Sequence, residues 1–132
     1  MLLQVTFLAR RFFNKEEIMK NVLNENELER IDHPRIKGGM STTFFSKEKQ
    51  GAQATVGMVK LPKGGMLPWH DHGHSDDIIM VLEGRGLIEM DGIGVFEIKK
   101  GSHVLVPGSN RHRIYEITED LTLYHVKAPP TV

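Results

Sequence analysis

The sequence predicts an all-β fold of the jelly-roll kind, and three observations lead to this prediction. From residue 41 onward, short runs rich in β-branched and other apolar residues alternate with glycine, proline and aspartate. Eight or nine such runs follow one another with tight turns, which is typical of a β-sandwich or a small β-barrel. No helical stretch lies between them to connect parallel strands, so a βαβ architecture is disfavoured.

The predicted strands fill one domain, which we expect to cover residues 41–127. In chain order they cover residues 42–47, 52–60, 66–71, 77–82, 86–90, 94–98, 103–106, 111–117 and 121–126. The breaks between them contain turn-forming residues. They fall at Lys63-Gly64-Gly65, Glu83-Gly84, Asp91-Gly92, Lys100-Gly101 and Pro107-Gly108. Residues 128–132, APPTV, are expected to form a loose tail.

Residues 1–40 are predicted to form a separate arm that contains a strand and helical segments. Val5 and Phe7 alternate with polar residues, which indicates a short strand that could pair with a second subunit; a frayed start is the alternative. Asn14 is expected to begin a helix, because its side chain can cap the first turn and a glutamate follows three residues later. A shorter helical turn is expected over residues 25–30.

The charge balance argues against nucleic acid and membrane surfaces as partners. The chain has 17 Lys and Arg residues against 17 Asp and Glu residues, so it carries no basic footprint. No apolar run is long enough to span a bilayer, and the N-terminal MLLQVTFLARRFF lacks the basic start and cleavage site of a targeting signal. The cytoplasm is therefore the expected location.

The absence of cysteine narrows the chemistry of any site in this chain. Disulfides, thiolate zinc sites and a nucleophilic cysteine are all excluded. Histidine and carboxylate side chains are left as the strong ligands for a transition metal.

A dense group of histidines precedes one of the predicted strands, in the stretch 69-WHDHGHSDDIIM-80. Because side chains two apart in a strand point to the same face, His70 and His72 are expected to share a face. Two imidazoles rarely complete a metal site alone, so further ligands would come from neighbouring strands. Asp77 leads the next predicted strand and His112 leads a later one.

This stretch resembles the first sequence motif of the cupin superfamily. That motif has a glycine, a His-x-His pair, an acidic residue and a closing glycine. Here Gly64 precedes His70 and His72, Asp77 provides the acidic residue, and Gly84 closes the motif.

A second stretch, 101-GSHVLVPGSNRHRIYE-116, resembles the second cupin motif. Gly101, Pro107 and His112 stand where that motif has its glycine, its proline and its third metal-binding histidine. Ser109 and Glu116 depart from the glycine and asparagine that the motif usually has. Two motifs at a compatible separation identify the chain as similar to the small, RmlC-like cupins, which implies a cupin/jelly-roll β-barrel. Together with the helical pattern of residues 1–40, this predicts such a barrel with a short N-terminal helical arm.

The resemblance implies one divalent transition metal bound by His70, His72 and His112, with Asp77 as the fourth candidate ligand. Iron and manganese are favoured, and nickel and zinc are alternatives. The family usually has glutamate in place of Asp77. The shorter side chain leaves three alternatives: Asp77 binds directly, binds through a water, or is replaced by His74.

The resemblance leaves two classes of function open. The first is a metal-dependent enzyme of the dioxygenase, isomerase, decarboxylase or lyase type that acts on a small polar organic substrate. The second is a non-catalytic module that binds or senses a small molecule. A storage protein without a site is disfavoured by the retained histidines. No catalytic residue is assigned by the sequence, and a homodimer is the implied assembly.

Other polar and aromatic residues are expected to play smaller parts. His125 and Tyr124 lie on opposite faces of the last predicted strand, so one of them is expected to reach the pocket. His33 is expected at the surface outside the barrel, and Trp69 on the outer face or a subunit interface. Surface or supporting roles only are expected for His74, Asp76, His103, Tyr115 and Glu116.

Overall fold

A computed structural model describes residues 21–131 of the chain. The predicted strand at Val5 and Phe7 and the start of the helix at Asn14 lie outside the described residues. At residues 25–30 the structure has a single 3-10 turn, Glu25–Glu27, where a helical turn was predicted.

Antiparallel strands dominate the described residues. In chain order they are β1 (Ile31–Asp32), β2 (Met40–Phe45), β3 (Thr55–Leu61), β4 (Leu67–His70), β5 (Asp76–Met90), β6 (Gly94–Lys99), β7 (His103–Val106) and β8 (His112–Ala128). One short helix, α1 (Lys47–Gln50), follows β2. The predicted all-β class is confirmed.

The strands form one sheet of jelly-roll class in the order β1-β2-β3-β8-β5-β6, with β4 on β8 and β7 on β5. Within residues 21–131 this sheet is not closed into a barrel. Ile31 pairs with Ser41, and Ile36 is 5% exposed in the core. Residues 31–40, predicted to belong to the arm, therefore contribute to the same sheet and core as the residues that follow.

Two pairs of predicted strands are each one continuous strand. The predicted break at Glu83-Gly84 is wrong, because β5 passes through it with shifts of register against β8. The buried side chains in β5 are Asp77, Ile79 and Val81 before this point and Ile88 and Met90 after it. The irregularity thus reverses which alternate residues face inward.

The second merged pair lies in β8, where residues 111–117 and 121–126 were predicted as separate strands. Glu116 has a φ of +45°, and β8 continues beyond it to Ala128. The buried residues change from His112 and Ile114 to Leu121 and Leu123. β8 therefore bends beside the irregular part of β5 without ending.

Two local predictions also differ from the structure. Residue 47 was assigned to a strand, but Lys47 begins α1, because the Ser46 hydroxyl accepts a hydrogen bond from the Lys49 amide at 3.1 Å. The predicted loose tail is fastened to β3. The Thr131 amide donates to the Thr55 hydroxyl oxygen at 3.0 Å.

The core lies on the inner face of the sheet and consists of aliphatic side chains. Ile88 and Ile114 face each other across β5 and β8 and are at most 1% exposed. Burial of such a side chain stabilises the fold by about 1.5–3 kcal/mol. In the part of the chain that the structure covers, neither helical segment is long or apolar enough to cross a bilayer.

Candidate metal centre

Three histidines meet where β4 and β8 pair. His70 is the last residue of β4, His112 is the first of β8, and the two lie opposite each other. His72 follows in the loop after β4 and turns its ring toward both. The ring centroids are 4.2 Å apart for His70 and His112, 4.8 Å for His70 and His72, and 5.2 Å for His72 and His112. One ring nitrogen from each histidine lies within 4.8 Å of the other two.

Backbone carbonyls orient two of these rings. The Nδ1 atom of His70 is 2.7 Å from the Pro68 oxygen, and that of His112 is 3.0 Å from the Asn110 oxygen. Because a carbonyl only accepts hydrogen bonds, each Nδ1 must carry the proton, which leaves the Nε2 lone pair unprotonated. This is the arrangement in which an imidazole binds a metal and is held in place by its other nitrogen.

Burial keeps these imidazoles neutral. His70 is 9% exposed and His112 is 1% exposed. Removal from water disfavours the charged ring, so burial lowers the pKa of His70 to about 4 and also lowers the pKa of His112. Neither ring needs to lose a proton at neutral pH before it binds a cation.

Asp77, in β5, brings a negative charge to the three histidines. Its Oδ2 lies 3.3 Å from the His72 Nε2 atom, and the residue is 5% exposed. Burial alone would raise the pKa of this carboxyl. The hydrogen bond with His72 and the charge of Lys127 outweigh burial, so the pKa lies below its ordinary value. Its Oδ1 is buried and has no hydrogen-bond partner among the described residues.

The donor set fits a divalent transition metal. Three imidazoles and one ionised carboxylate are ligands that such metals accept, and the unpaired Asp77 oxygen is a buried acceptor that a cation would satisfy. The structure brings His70, His72 and His112 together and places Asp77 beside His72. Direct binding of a metal by Asp77 stays a prediction.

A cavity of about 320 Å³ opens beside these residues. Its wall contains both aliphatic and polar side chains. The aliphatic ones belong to Val59, Leu67, Ile79, Ile114 and Leu123. The polar ones include those of His33, Arg35, His125 and Lys127.

His125, not Tyr124, lines the cavity, which resolves the alternative left by the sequence. Tyr124 stacks on Phe44 at 5.7 Å between ring centroids. A Cβ atom on Gly57 would lie 3.0 Å from the His125 ring, so this glycine leaves space for the imidazole. Burial lowers the pKa of His125 to about 4, and its Nδ1 has no hydrogen-bond partner among the described residues.

The prediction that His33 lies at the surface outside the barrel is wrong, since His33 lines the cavity. The loop between β1 and β2 folds back over the sheet. The His33 amide donates to the Gly39 oxygen at 2.8 Å, and the Arg35 amide donates to the His33 Nδ1 at 3.1 Å. Burial lowers the pKa of His33, so its ring is neutral at pH 7.

Sequence reasoning missed two cations in the cavity wall, Arg35 and Lys127. Lys127 could have been found, because it alternates along β8 with His125 and with the buried Leu123. Arg35 lies in an irregular loop, where no periodicity indicates the direction of a side chain.

The remaining candidates lie outside the three-histidine group, as expected. His74 is exposed, and Asp76 accepts a hydrogen bond from the Gly108 amide at 2.8 Å. Trp69 lies on the outer face, where its ring centroid is 5.1 Å from the Arg113 guanidinium carbon. That carbon is 4.1 Å from the Tyr115 ring centroid. His103 and Glu116 are exposed.

Acid should destabilise the metal-free protein. His70 and His125 have folded-state pKa values of about 4, below the ordinary 6.5, so the unfolded chain binds more protons between these values. Stability should fall as pH falls from about 6.5 to about 4, by at most about 1.4 kcal/mol per pH unit for each histidine. Urea unfolding of chelator-treated protein measures this slope. A shallower slope is expected for His125→Gln; an unchanged slope would contradict the assignment to His125.

Comparison with models of known protein families identifies one family for this chain. The sequence model described as Cupin domain matches residues 57–127, more than half of the chain. The uncharacterized protein MJ1618 of Methanocaldococcus jannaschii is 34% identical over 68 residues, which are 52% of this chain and 54% of that protein. The polyketide synthase CurC of Streptomyces cyaneus is 24% identical over 95 residues, 71% of this chain and 61% of that protein. The chain thus spans between half and two thirds of the length of these two relatives.

Solved structures show the same architecture. A predicted oxalate decarboxylase from Thermotoga maritima is 27% identical, with a TM-score of 0.69, and the match covers 82% of this chain and 98% of that one. The ectoine synthase of P. lautus is 19% identical, with a TM-score of 0.71 and coverage of 86% and 80%. The second likeness shows the fold alone.

Proposed function

Because the chain belongs to the cupin family, we propose that it is a metal-dependent enzyme that acts on a small polar organic substrate. The observation that carries the proposal is the group of three histidines beside the cavity, two of them with Nδ1 fixed by a backbone carbonyl. The reaction is of the dioxygenase, isomerase, decarboxylase or lyase type. Similarity to a structure described as a predicted oxalate decarboxylase supports the decarboxylase type.

The proposed cofactor is one divalent transition metal. His70, His72 and His112 would hold it, and Asp77 is the proposed fourth ligand. Iron or manganese is favoured by a donor set of imidazoles and one carboxylate, and nickel and zinc are also compatible with these ligands. When bound, such a metal supplies Lewis acidity that polarises a substrate oxygen.

The chain's own residues would prepare the cavity for a substrate. The ionised Asp77 places a negative charge beside the histidines, which favours a cation there. The aliphatic side chains in the wall would limit the access of water to a bound molecule and strengthen the polar contacts around it. His125 adds a neutral imidazole to the cavity wall, with which a substrate could form a hydrogen bond.

A non-catalytic module that binds or senses a small molecule is the second candidate. The small number of carboxylates in the cavity favours this candidate. Within residues 21–131, Asp77 is the one carboxylate in the lining. An acid–base pair of carboxylates is therefore lacking in the part of the cavity lining that the described residues form. The proposed cytoplasmic location and homodimeric assembly rest on the sequence prediction alone.

Elemental analysis of untagged protein purified without chelator tests the proposed function. We expect about one equivalent of iron, manganese, nickel or zinc per chain. Oxygen uptake and product formation would then be measured with a panel of small organic acids and sugar derivatives. Protein that contains no metal and takes up none of these four ions would contradict the enzyme proposal and favour the binding module.

A further inference from the structure

We propose that Arg35 and Lys127 form a cationic wall that binds the oxyanion group of a small organic acid in the cavity beside the three histidines. This inference rests on the proposed function, because it names the substrate class of the same cavity. The acid would place its carboxylate or phosphate group against the two cations and direct the rest of the molecule toward the histidines.

The two cations reach the cavity from different parts of the fold. Lys127 lies near the end of β8, opposite Asp77 in β5, and Arg35 lies in the loop between β1 and β2. Both line the cavity. His70, His72 and His112 line the same cavity. The cationic wall therefore faces the same space as the histidines.

The charges around the cavity do not balance. Its lining has two fixed cations and one carboxylate, Asp77, whose Oδ2 already lies against His72. Among residues 21–131, neither Arg35 nor Lys127 takes part in an ion pair. Lys127 lies opposite Asp77 but forms no ion pair with it, so a single carboxylate faces two cations, and an anionic ligand would gain both electrostatic attraction and hydrogen bonds. A divalent metal would add further positive charge and strengthen this preference.

The size and chemistry of the cavity restrict the ligand further. About 320 Å³ lies at the lower end of the roughly 300–1,000 Å³ found for small-molecule pockets, so the ligand is a small metabolite. The planar guanidinium of Arg35 can bind two oxygens of one oxyanion, and Lys127 adds a single charged donor. The aliphatic side chains in the wall suit the short carbon skeleton of such an acid.

Isothermal titration with malonate, inorganic phosphate and uncharged malonamide tests the cationic wall. We expect the protein as purified to bind at least one of the two anions and not malonamide. Replacing one cation removes a charge-assisted hydrogen bond, so Arg35→Gln and Lys127→Gln should each weaken anion binding about tenfold or more. Preference for malonate or for phosphate decides which oxyanion the wall accepts.

Matched variants separate the wall from a general change of surface charge. Lys37→Gln, in the same loop as Arg35, and exposed Lys63→Gln should leave the Kd of the anion unchanged. Lys127→Arg keeps the charge and should keep most of the binding. If Lys127→Gln fails to fold, Arg35→Gln still tests the wall. The inference would be overturned if wild type and Arg35→Gln bound the anion with the same Kd. It would also be overturned if wild type bound malonamide as tightly as malonate, or bound neither anion.

Metal content measured in the same samples distinguishes this inference from the proposed function. A protein without metal whose malonate binding depends on Arg35 and Lys127 would contradict the enzyme proposal and support the cationic wall. If the protein holds one equivalent of metal and its Kd for malonate is unchanged in Arg35→Gln and Lys127→Gln, the proposed function stands and the inference of a cationic wall is overturned.

Discussion

Replacing Gly84 with alanine should destabilise the protein by about 4 kcal/mol, a large part of the stability of an ordinary domain. Gly84 has a φ of +95°, which disfavours any side chain. A Cβ atom there would overlap the Asp120 carbonyl group, lying 2.7 Å from its carbon and 2.8 Å from the Leu121 Cα. Because the obstacle is backbone in β8, rotation of a side chain cannot relieve the overlap. The free energy of unfolding in urea measures the loss.

Gly92→Ala is the matched control for this effect. Gly92 also has a positive φ, +72°, but a Cβ atom there would meet no atom within 4 Å. Its substitution should cost about 1–2 kcal/mol from backbone strain alone. The difference between the two variants isolates the contact between Gly84 and β8. Equal losses in both would show that the close approach of the strands contributes nothing.

Replacing His112 with alanine should abolish stoichiometric metal binding. Loss of an outer partner of a metal ligand weakens affinity roughly 10–100-fold, and loss of a ligand itself should weaken it by more. Metal content after purification and the Kd of Mn²⁺ or Fe²⁺ measured under anaerobic conditions provide the readouts. His112→Gln should show the same loss of metal binding. Because glutamine is closer in volume to histidine than alanine is, this variant shows that the loss does not come from a cavity left by alanine.

His74→Ala is the control for the metal measurement. His74 belongs to the same histidine-rich stretch but is exposed and lies outside the three-histidine group. It should leave the metal content unchanged, and this result would also remove the alternative in which His74 replaces Asp77. Loss of metal in His74→Ala with retention in His112→Ala would contradict the proposed ligand set.

The fold class was predictable because its signals are local. Alternating apolar residues and turn-forming residues determine strands and turns within a few positions, and most predicted strands agree with the structure. The continuity of β5 and β8 was not predictable in the same way. A glycine such as Gly84 is compatible with both a turn and a bulge. Only the pairing of β5 with β8 distinguishes the two.

The histidines of the candidate site were predictable for a related reason. His70 and His72 are close in sequence, and the position of His112 follows from the second motif. The position of Lys127 in the cavity wall could have been predicted from the alternation of side chains along β8. His33 and Arg35 were not, because their approach to the cavity depends on how an irregular loop packs on the sheet. That packing depends on contacts such as the buried Ile36, which lie outside any motif.

The course of β8 has a consequence for substrate selection. His112 and Lys127 lie at opposite ends of one strand, and fifteen residues of straight strand would separate them by roughly 50 Å. Both nevertheless line a cavity of about 320 Å³, which would measure roughly 8–9 Å across if it were spherical. The span between His112 and Lys127 is therefore set by the curvature of the two-stranded ribbon that β5 and β8 form. Substitutions where this ribbon is irregular, remote from the cavity, would change the length of acid that the proposed cationic wall accepts while every lining residue stays the same.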